Sequence, residues 1–286
     1  MADTAPLPRR RRSALFMPAS NPRAIEKART LPCDVVILDL EDAVAPDRKE
    51  EARAAAGAAI EAGGFGDREL VVRVNGSDTR WGADDLAALA GTPVDAVLLP
   101  KVGEVEDVAA ARDLLGVDGP PIWAMIESAR GLLALPALAG AARRLRLAAL
   151  VAGTNDLAID LGVRPDADRT PLLPALAQIV TAARAGGMAV LDGVLNATND
   201  AALLAAHCAQ GAMWGFDGKS LIHPAQIAAA NAAFGPDAAS IAWARRVIAL
   251  FADPAHADRG AVALDGEMVE RLHLAQAQRI MMLAGS

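Results

Sequence analysis

The sequence predicts an α/β fold, a (β/α)8 TIM barrel with extra C-terminal helices. Short apolar runs alternate with alanine-rich helical stretches, which is typical of parallel strands buried on both faces. Eight such runs can be counted, and eight is the strand number of a closed barrel. The residues after the first run, Pro18-Ala19-Ser20-Asn21-Pro22, contain no glycine-rich fingerprint, so an open doubly wound sheet is disfavoured.

Each apolar run is predicted to form one strand. The predicted strands are residues 14–17, 35–40, 70–74, 96–99, 122–126, 147–151, 188–191 and 212–216. Helices are predicted between them at residues 22–30, 48–62, 84–90, 104–115, 129–135 and 171–185. Alternation in this order implies right-handed crossovers and a parallel sheet.

The chain is predicted to have three parts. Residues 1–12 are expected to be a disordered basic tail that ends in four arginines, although Arg12 beside the first strand could instead contact a ligand phosphate. Residues 13–235 form the barrel. Residues 236–286 form a helical extension, with helices near residues 238–252 and 266–283 and a loop or hinge between them. These helices exceed what a barrel requires, so they either cap it or exchange with a neighbouring subunit.

The composition excludes several functional classes. Of the 286 residues, 53% are hydrophobic and 22% charged, which is a globular profile with enough length for a large core. Aromatic residues make up 3% and the net charge is −7, so neither stacking rings nor a basic field for nucleic acid is expected. No membrane span is expected, because the longest apolar stretch is short and contains Pro136.

The cysteine content and the N-terminus predict a cytoplasmic protein. Only Cys33 and Cys208 occur, which disfavours a disulfide framework and fits a reducing compartment. No secretory signal is recognised at the N-terminus, where the basic residues are not followed by a long apolar segment.

Charged residues cluster where the second and third strands are predicted to end. Asp39, Glu41 and Asp42 place three carboxylates within four residues, which requires a cation, a shared proton or hydrogen-bond donors. Arg73 interrupts an apolar run, so its guanidinium is predicted to enter the barrel mouth and bind a substrate carboxylate. Two structural alternatives stay open: the acids could cap the next helix, and Arg73 could pair with them.

Lys101 follows the fourth predicted strand. A lysine here could form a Schiff base, as in aldolases that need no metal. The favoured interpretation is that Lys101 neutralises the neighbouring carboxylates, because nearby acids raise the pKa of a lysine and make it a poor nucleophile.

The ends of the fifth and sixth strands predict a metal site. Glu127 follows one strand and Asp156 follows the next, and no histidine or cysteine lies near either in the sequence. Hard oxygen ligands of this kind favour Mg²⁺ or Mn²⁺, with water and substrate oxygens completing the shell. The residues Gly153, Thr154 and Asn155 precede Asp156 and are predicted to bind substrate.

The ordered motifs resemble those of the HpcH/HpaI aldolase superfamily, in particular its group of citrate lyase beta subunits and malyl-CoA lyases. The resemblance covers nearly the whole chain. It is carried by Ser13-Ala14-Leu15-Phe16-Met17-Pro18, Asp39-Leu40-Glu41-Asp42-Ala43-Val44, Arg73-Val74-Asn75, Pro100-Lys101, Ile126-Glu127-Ser128, Asp156-Leu157 and Gly218-Lys219-Ser220-Leu221-Ile222-His223-Pro224-Ala225-Gln226-Ile227.

The resemblance implies a (β/α)8 barrel in homotrimers or hexamers, with Mg²⁺ held by Glu127 and Asp156. Arg73 would hold the substrate, and Asp39, Glu41 and Asp42 would lie around metal-bound water. The substrate would be a CoA ester such as citryl-CoA or malyl-CoA. By the same analogy, the CoA phosphates would contact Arg12 and Lys27. A complex with an acyl carrier protein is a further possibility, because citrate lyase beta subunits work in one.

One departure from the family pattern concerns proton transfer. CoA-using relatives carry an aspartate in the last helical region, which acts from a neighbouring subunit, and here Glu270 stands in its place. The first hypothesis is therefore a Mg²⁺-dependent lyase acting on a 3-hydroxyacyl-CoA ester, with Arg73, Glu41, Asp42 and Glu270 as catalytic residues. The alternatives are a metal-dependent aldolase on free 2-oxo acids and a CoA-ester-binding protein with weakened catalysis.

Overall fold

A computed structural model describes residues 9–256 and 259–285. The chain divides into two compact units. The first is Arg11–Phe234. The second consists of the remaining residues at both ends, of which 9–10, 235–256 and 259–285 are described. The predicted tail falls largely on residues 1–8, which lie outside the described residues.

The first unit is a closed barrel of parallel strands, so the predicted fold is confirmed. The strands follow one another around the barrel in chain order, and β1 closes on β8 through pairs such as Leu15 with Leu221. Their bounds are β1 Ser13–Pro18, β2 Val35–Asp39, β3 Glu69–Arg73, β4 Ala96–Leu99, β5 Ile122–Ile126, β6 Leu147–Ala152, β7 Ala189–Asp192 and β8 Gly218–Leu221.

Helices follow the strands on the outside of the barrel. Their bounds are α1 Pro22–Ala28, α2 Lys49–Ala62, α3 Gly82–Leu89, α4 Val105–Leu115, α5 Ala129–Leu145, α6 Thr154–Asp160, α7 Leu173–Gly186, α8 Ala201–Trp214 and α9 Ile227–Phe234. Among the described residues, none of the helices is both long and apolar enough to cross a bilayer.

The prediction of the eighth strand at residues 212–216 is wrong. Those residues are the last turn of α8 and the loop after it, and the strand is Gly218–Leu221. The strand was missed because Lys219 and Ser220 break its apolar pattern. Both side chains are buried, and they are satisfied by hydrogen bonds to Asp192, from Lys219 Nζ to Oδ2 at 2.8 Å and from Ser220 Oγ to the carbonyl at 2.7 Å.

Helix α5 also departs from the prediction, which ended it before Pro136. It continues through the exposed Pro136 to Leu145, because the apolar face goes on beyond the proline and Leu138, Ala142 and Leu145 are buried in the core. The helices α6 and α8 were not predicted. The first is only seven residues long, and the second has a nearly uniform apolar composition without a clear helical stripe.

The barrel interior combines alanines with larger apolar side chains, of which Trp123 is the largest. Ala14, Ala96 and Ala149 belong to the inner cluster, and they leave room for Trp123, which is fully buried. Because side chains alternate between faces along a strand, the residues that precede and follow these inner positions by two also point inward. This rule places Glu69 at the amino end of the interior and Glu127 at the carboxyl end.

The amino end of the barrel is closed by arginines that the sequence placed in the tail. Arg11 lies over the Trp123 ring, 5.1 Å from its centroid, and pairs with Glu69 at 2.6 Å. Arg12 forms a two-pronged ion pair with Asp34, with both distances 2.8 Å. The expected disorder therefore does not extend to Arg11 and Arg12.

The second unit contains α10, Ala238–Ala252, a two-stranded hairpin and α11, Arg271–Ala284. The hairpin strands are β9, Ala261–Leu264, and β10, Glu267–Glu270, so the prediction of a helix from residue 266 is wrong at its start. Asp265 and Gly266 form the turn, with φ of 54° and 89°, as a two-residue hairpin loop requires. The Asp-Gly pair is a sequence signal for such a turn.

Candidate active site

The carboxyl ends of the strands surround a cavity of about 320 Å³. Strand alternation brings Asp39, Arg73 and Glu127 to this end of the barrel, because each lies two residues beyond an inward-facing residue. The cavity lies at the face where (β/α)8 enzymes carry their active sites. Its lining consists of Phe16, Asp39, Asp42, Ala43, Arg73, Met125, Glu127, Ala152, Gly153, Thr154, Asn155, Asp156, Val194, Asn196 and Ile222.

Arg73 is the centre of a buried ion network. Its Nε and Nη2 donate to the two oxygens of Asp39 at 2.7 and 2.6 Å. Its Nη1 lies 2.8 Å from Glu41 and 3.3 Å from Asp42. The predicted ion pair between Arg73 and the acids therefore exists. Asp39 fixes one edge of the guanidinium, and Nη1 contacts the buried Glu41 and the exposed Asp42.

The acidic loop after β2 also uses Asp39 as a backbone acceptor. Its carboxylate accepts the N–H groups of Glu41 and Ala43 at 2.9 and 3.1 Å. The alternative that these acids cap the next helix is wrong, because neither the short 3-10 helix Pro46–Arg48 nor α2 has a side-chain hydrogen bond at its amino end. The loop is rigid because one carboxylate holds both its backbone and the arginine.

Lys101 balances the acidic network from the end of β4. Its Nζ lies 3.2 Å from Glu41, and although partial burial opposes the effect, Glu41, Asp42 and Glu127 raise the pKa of Lys101. Burial raises the pKa of Glu41, against the influence of Arg73. A lysine held protonated is a poor Schiff-base amine, which supports the neutralising role over the covalent one.

Glu127 is a buried carboxylate with excess negative charge around it. One oxygen accepts the Lys101 N–H at 2.6 Å, and Lys101 adopts the left-handed φ of 52° that presents this group. Burial, followed by repulsion from Glu41 and from Asp156, raises the pKa of Glu127 to about 8. Its carboxylate form is thus destabilised unless a further cation is present.

Gly153 lets Glu127 adopt its position. A Cβ at residue 153 would lie 2.4 Å from Glu127 Cβ and 2.6 Å from its Oε2, well inside contact distance. Helix α6 begins at the next residue, so the same glycine also places Asp156 in the first turn. The absence of a side chain at residue 153 therefore affects the positions of both predicted metal ligands, Glu127 and Asp156.

Gly153→Ala is expected to reduce activity by about 100-fold, because displacing a catalytic carboxylate by roughly 1 Å has an effect of this size. Steady-state kinetics at saturating metal would measure it. Gly140→Ala is the matched control, since a Cβ there would meet nothing within 4 Å and the position is exposed on α5. An active Gly153→Ala enzyme with unchanged kcat would contradict this role of the glycine.

The residues around Glu127 and Asp156 fit a hard divalent cation. Among the residues that the structure describes, no group of three or more histidine, cysteine or acidic side chains is arranged to hold a metal. Two carboxylates with room beside them are nevertheless the usual protein contribution to Mg²⁺, which retains water and substrate oxygens. The raised pKa of Glu127 reflects burial first and then repulsion from neighbouring acids, and such an ion would offset both.

Two predicted site residues of the first unit are absent from the lining of this cavity, and a third belongs to the second unit. Arg12 lies at the amino end of β1, at the opposite face of the barrel, and forms an ion pair with Asp34; its contact with a CoA phosphate stays a prediction. Lys27 is exposed in the last turn of α1. Glu270 belongs to the second unit, where it precedes α11 and its N–H donates to His273 Nδ1 at 2.9 Å.

The sequence interpretation missed several residues that line the cavity. The Arg73 guanidinium carbon lies 4.9 Å from the centroid of the Phe16 ring. The position of Phe16 inside an apolar strand does not signal this contact. Asn196 comes from the loop after β7 and exchanges hydrogen bonds with Asn155 at 3.1 and 3.3 Å. The polar run after the seventh predicted strand was the available signal for this loop.

Comparison with known proteins agrees with this geometry. The profile of the HpcH/HpaI aldolase/citrate lyase family matches residues 12–224. The chain belongs to this family. It is therefore an enzyme of the lyase type.

Members of the family resemble the chain over nearly its full length. A (3S)-malyl-CoA thioesterase of Cereibacter sphaeroides is 45% identical over 94% of this chain and 92% of its own. The citrate lyase subunit beta of Leuconostoc mesenteroides is 35% identical over 97% and 94%. The crystal structure of CitE from Mycobacterium tuberculosis, in complex with magnesium, acetoacetate and coenzyme A, is 33% identical. It covers 96% of this chain and 98% of its own, with a TM-score of 0.76.

Proposed function

We propose that this family member is a Mg²⁺-dependent lyase that cleaves a carbon–carbon bond in a 3-hydroxyacyl-CoA ester of the malyl-CoA or citryl-CoA type. The observation that carries the proposal is the pair Glu127 and Asp156 beside the Arg73 network in one cavity. The magnesium, acetoacetate and coenzyme A bound to the related CitE support it. Mn²⁺ is a plausible substitute because the ligands are hard oxygens.

The residues of the cavity supply binding and charge. Mg²⁺ would act as a Lewis acid that stabilises negative charge on the substrate oxygens. Asp39 fixes Arg73 along one edge, so a substrate carboxylate or carbonyl oxygen would bind at Nη1 by replacing the contact with the exposed Asp42. Gly153, Thr154 and Asn155 form the adjoining wall. Such a preorganised set of charges favours a transition state in which an enolate develops.

Proton transfer is assigned to the two acids that lie next to Arg73 Nη1. The Asp42 side chain is 64% exposed and lines the cavity, whereas Glu41 is buried with a raised pKa. We assign Glu41 and Asp42 to holding or moving the proton of the substrate hydroxyl. Glu270 is the alternative, from its position before α11, if subunits of a homotrimer or hexamer share their sites.

Thioester hydrolysis is a second candidate activity. It is favoured by the name of the C. sphaeroides relative, a (3S)-malyl-CoA thioesterase at 45% identity. The same cavity could stabilise the oxyanion that forms when water attacks a thioester carbonyl. The two reactions differ in products, since carbon–carbon cleavage of malyl-CoA yields acetyl-CoA and glyoxylate, whereas hydrolysis yields malate and a free thiol.

One assay separates these activities and tests the metal. Purified protein is treated with EDTA, restored with Mg²⁺ and given (3S)-malyl-CoA, and glyoxylate and free thiol are measured in parallel. We expect Mg²⁺-dependent glyoxylate release without thiol. Thiol release alone would support the thioesterase, and full activity in EDTA would contradict the proposed metal chemistry. Turnover of free 2-oxo-acid aldols without CoA would instead support an aldolase.

A further inference from the structure

A second cavity adjoins the metal pocket, which is the cavity lined by Glu127 and Asp156. Its volume is about 560 Å³, and it lies between α6, the segment before α7 and the loop after β7. Thr154, Asn155, Val194 and Asn196 line both cavities, so they form the wall between them. The two cavities are therefore separated by the thickness of a few side chains.

The part of this wall formed by Thr154 is rigid, because the loop after β7 packs against it. A Cβ on Gly193 would lie 2.3 Å from Thr154 Oγ1, which shows that the β7 loop is packed directly on Thr154. Gly193 is itself held at both ends, by its N–H to Asp192 at 2.8 Å and by Lys219 Nζ on its carbonyl at 2.5 Å. Asp192 and Lys219 are fully buried.

The part of the wall formed by Asn155 and Asn196 is a pair of exposed side-chain amides. Asn155 and Asn196 each donate to the other, at 3.3 and 3.1 Å, and bridge the start of α6 to the β7 loop. Exposed neutral hydrogen bonds contribute little to stability. Either asparagine can therefore be replaced by a smaller residue without disturbing the packing of Gly193 on Thr154.

The chemistry of the second cavity suits an aliphatic group. Side chains such as Ala158, Leu172, Leu195 and Leu203 supply most of its surface. Arg169 is the one arginine in the lining of the second cavity, and its guanidinium forms hydrogen bonds with Asp192 at 2.7 Å and with Gln210. His207 is the other basic side chain of the lining; its Nε2 donates to the Ala167 carbonyl and its Nδ1 has no partner. Burial lowers the pKa of His207, which disfavours the charged form that would bind a phosphate or a second carboxylate.

We propose that the Asn155–Asn196 pair sets the size of the acid that the enzyme accepts, by closing the metal pocket off from an apolar cavity that would hold an aliphatic branch of the substrate. The inference rests on the proposed function. The branch could belong to the 2-oxo acid or to the acyl thioester, which share this chemistry.

The test compares chain-length profiles of wild type and Asn196→Ala in the condensing direction. One arm lengthens the 2-oxo acid from glyoxylate to 2-oxopentanoate with acetyl-CoA, and the other lengthens the thioester from acetyl-CoA to butyryl-CoA with glyoxylate. We expect Asn196→Ala to raise kcat/KM, relative to the shortest substrate, by about fourfold for each methylene that enters the apolar cavity. The arm that responds identifies which reactant carries the branch.

Two further variants fix the interpretation. Asn199→Ala lies in the same exposed loop outside both linings and should keep the wild-type profile. Asn196→Leu removes the hydrogen bonds but retains the bulk, so it should also stay restricted to short substrates. An Asn196→Ala profile equal to that of wild type would overturn the inference and leave the proposed function standing. Wild type without turnover of any pair would overturn both.

Discussion

Glu127→Gln is expected to lower kcat by about 10²–10³-fold or more, which is the usual effect of removing one preorganised charge-stabilising group. The amide keeps the shape and can still accept the Lys101 N–H, now 2.6 Å from Oε1. It is, however, a weak ligand for a hard cation. Steady-state kinetics together with Mg²⁺ titration by calorimetry would measure the loss, and wild-type Mg²⁺ affinity in the variant would exclude Glu127 as a ligand.

The same substitution is expected to stabilise the metal-free protein at alkaline pH. The pKa of Glu127 is about 8 in the folded state, against about 4.3 when unfolded, so the folded state binds the extra proton between these values. Stability from this group is therefore present below pH 4 and is lost as pH rises through 8. Glutamine has no such proton to lose.

Thermal unfolding in EDTA at pH 8.5 measures this effect. We expect Glu127→Gln to unfold at least about 2–4 °C above wild type, which corresponds to roughly 1 kcal/mol for a chain of this size. The difference should shrink at pH 5. Glu106→Gln is the control, because Glu106 is an exposed glutamate on α4. If the variant is less stable than wild type at pH 8.5, the Glu127 carboxylate is stabilised by its neighbours in the folded protein, and this prediction is contradicted.

Arg73→Ala is expected to cost about 3–5 kcal/mol of unfolding free energy, the usual effect of removing one partner of a buried ion pair. Asp39 is 1% exposed and Glu41 6%, so neither acid can recover its charge stabilisation from water. Activity is expected to be lost as well, since Nη1 is the proposed substrate contact. Urea unfolding and steady-state kinetics measure the two effects separately.

Two companion variants distinguish charge from geometry. Arg73→Lys retains the charge but loses the two-pronged contact with Asp39, so it should lose most activity at a smaller cost in stability. Combining Arg73→Ala with Asp39→Asn should destabilise less than the sum of the single changes, because the buried charge is removed with its partner. Arg48→Ala, in the exposed pair with Glu51, should leave the unfolding midpoint nearly unchanged. Additive effects at Arg73 and Asp39 would contradict the ion network.

The barrel could be predicted because its strands are short and apolar, and seven of the eight lie where the pattern places them, within one residue. Where a polar residue ends such a strand, it must emerge at the carboxyl face. This local rule identified Arg73 and Glu127, and the segment after the sixth strand, which begins α6, supplied Asp156. Burial on both faces is a strong constraint on sequence, so the fold and these positions follow from it.

The sequence by itself therefore determined the fold class and the acids and arginine at the strand ends. Only the tertiary structure decided which partners they have. Lys219 sits inside a strand because Asp192 satisfies it from 27 residues away, and Arg12 is taken by Asp34 at the opposite end of the barrel. Asn196 reaches Asn155 across 41 residues. Such pairings arise from chain segments that meet only on folding, and a polar side chain carries no local signal of its distant partner.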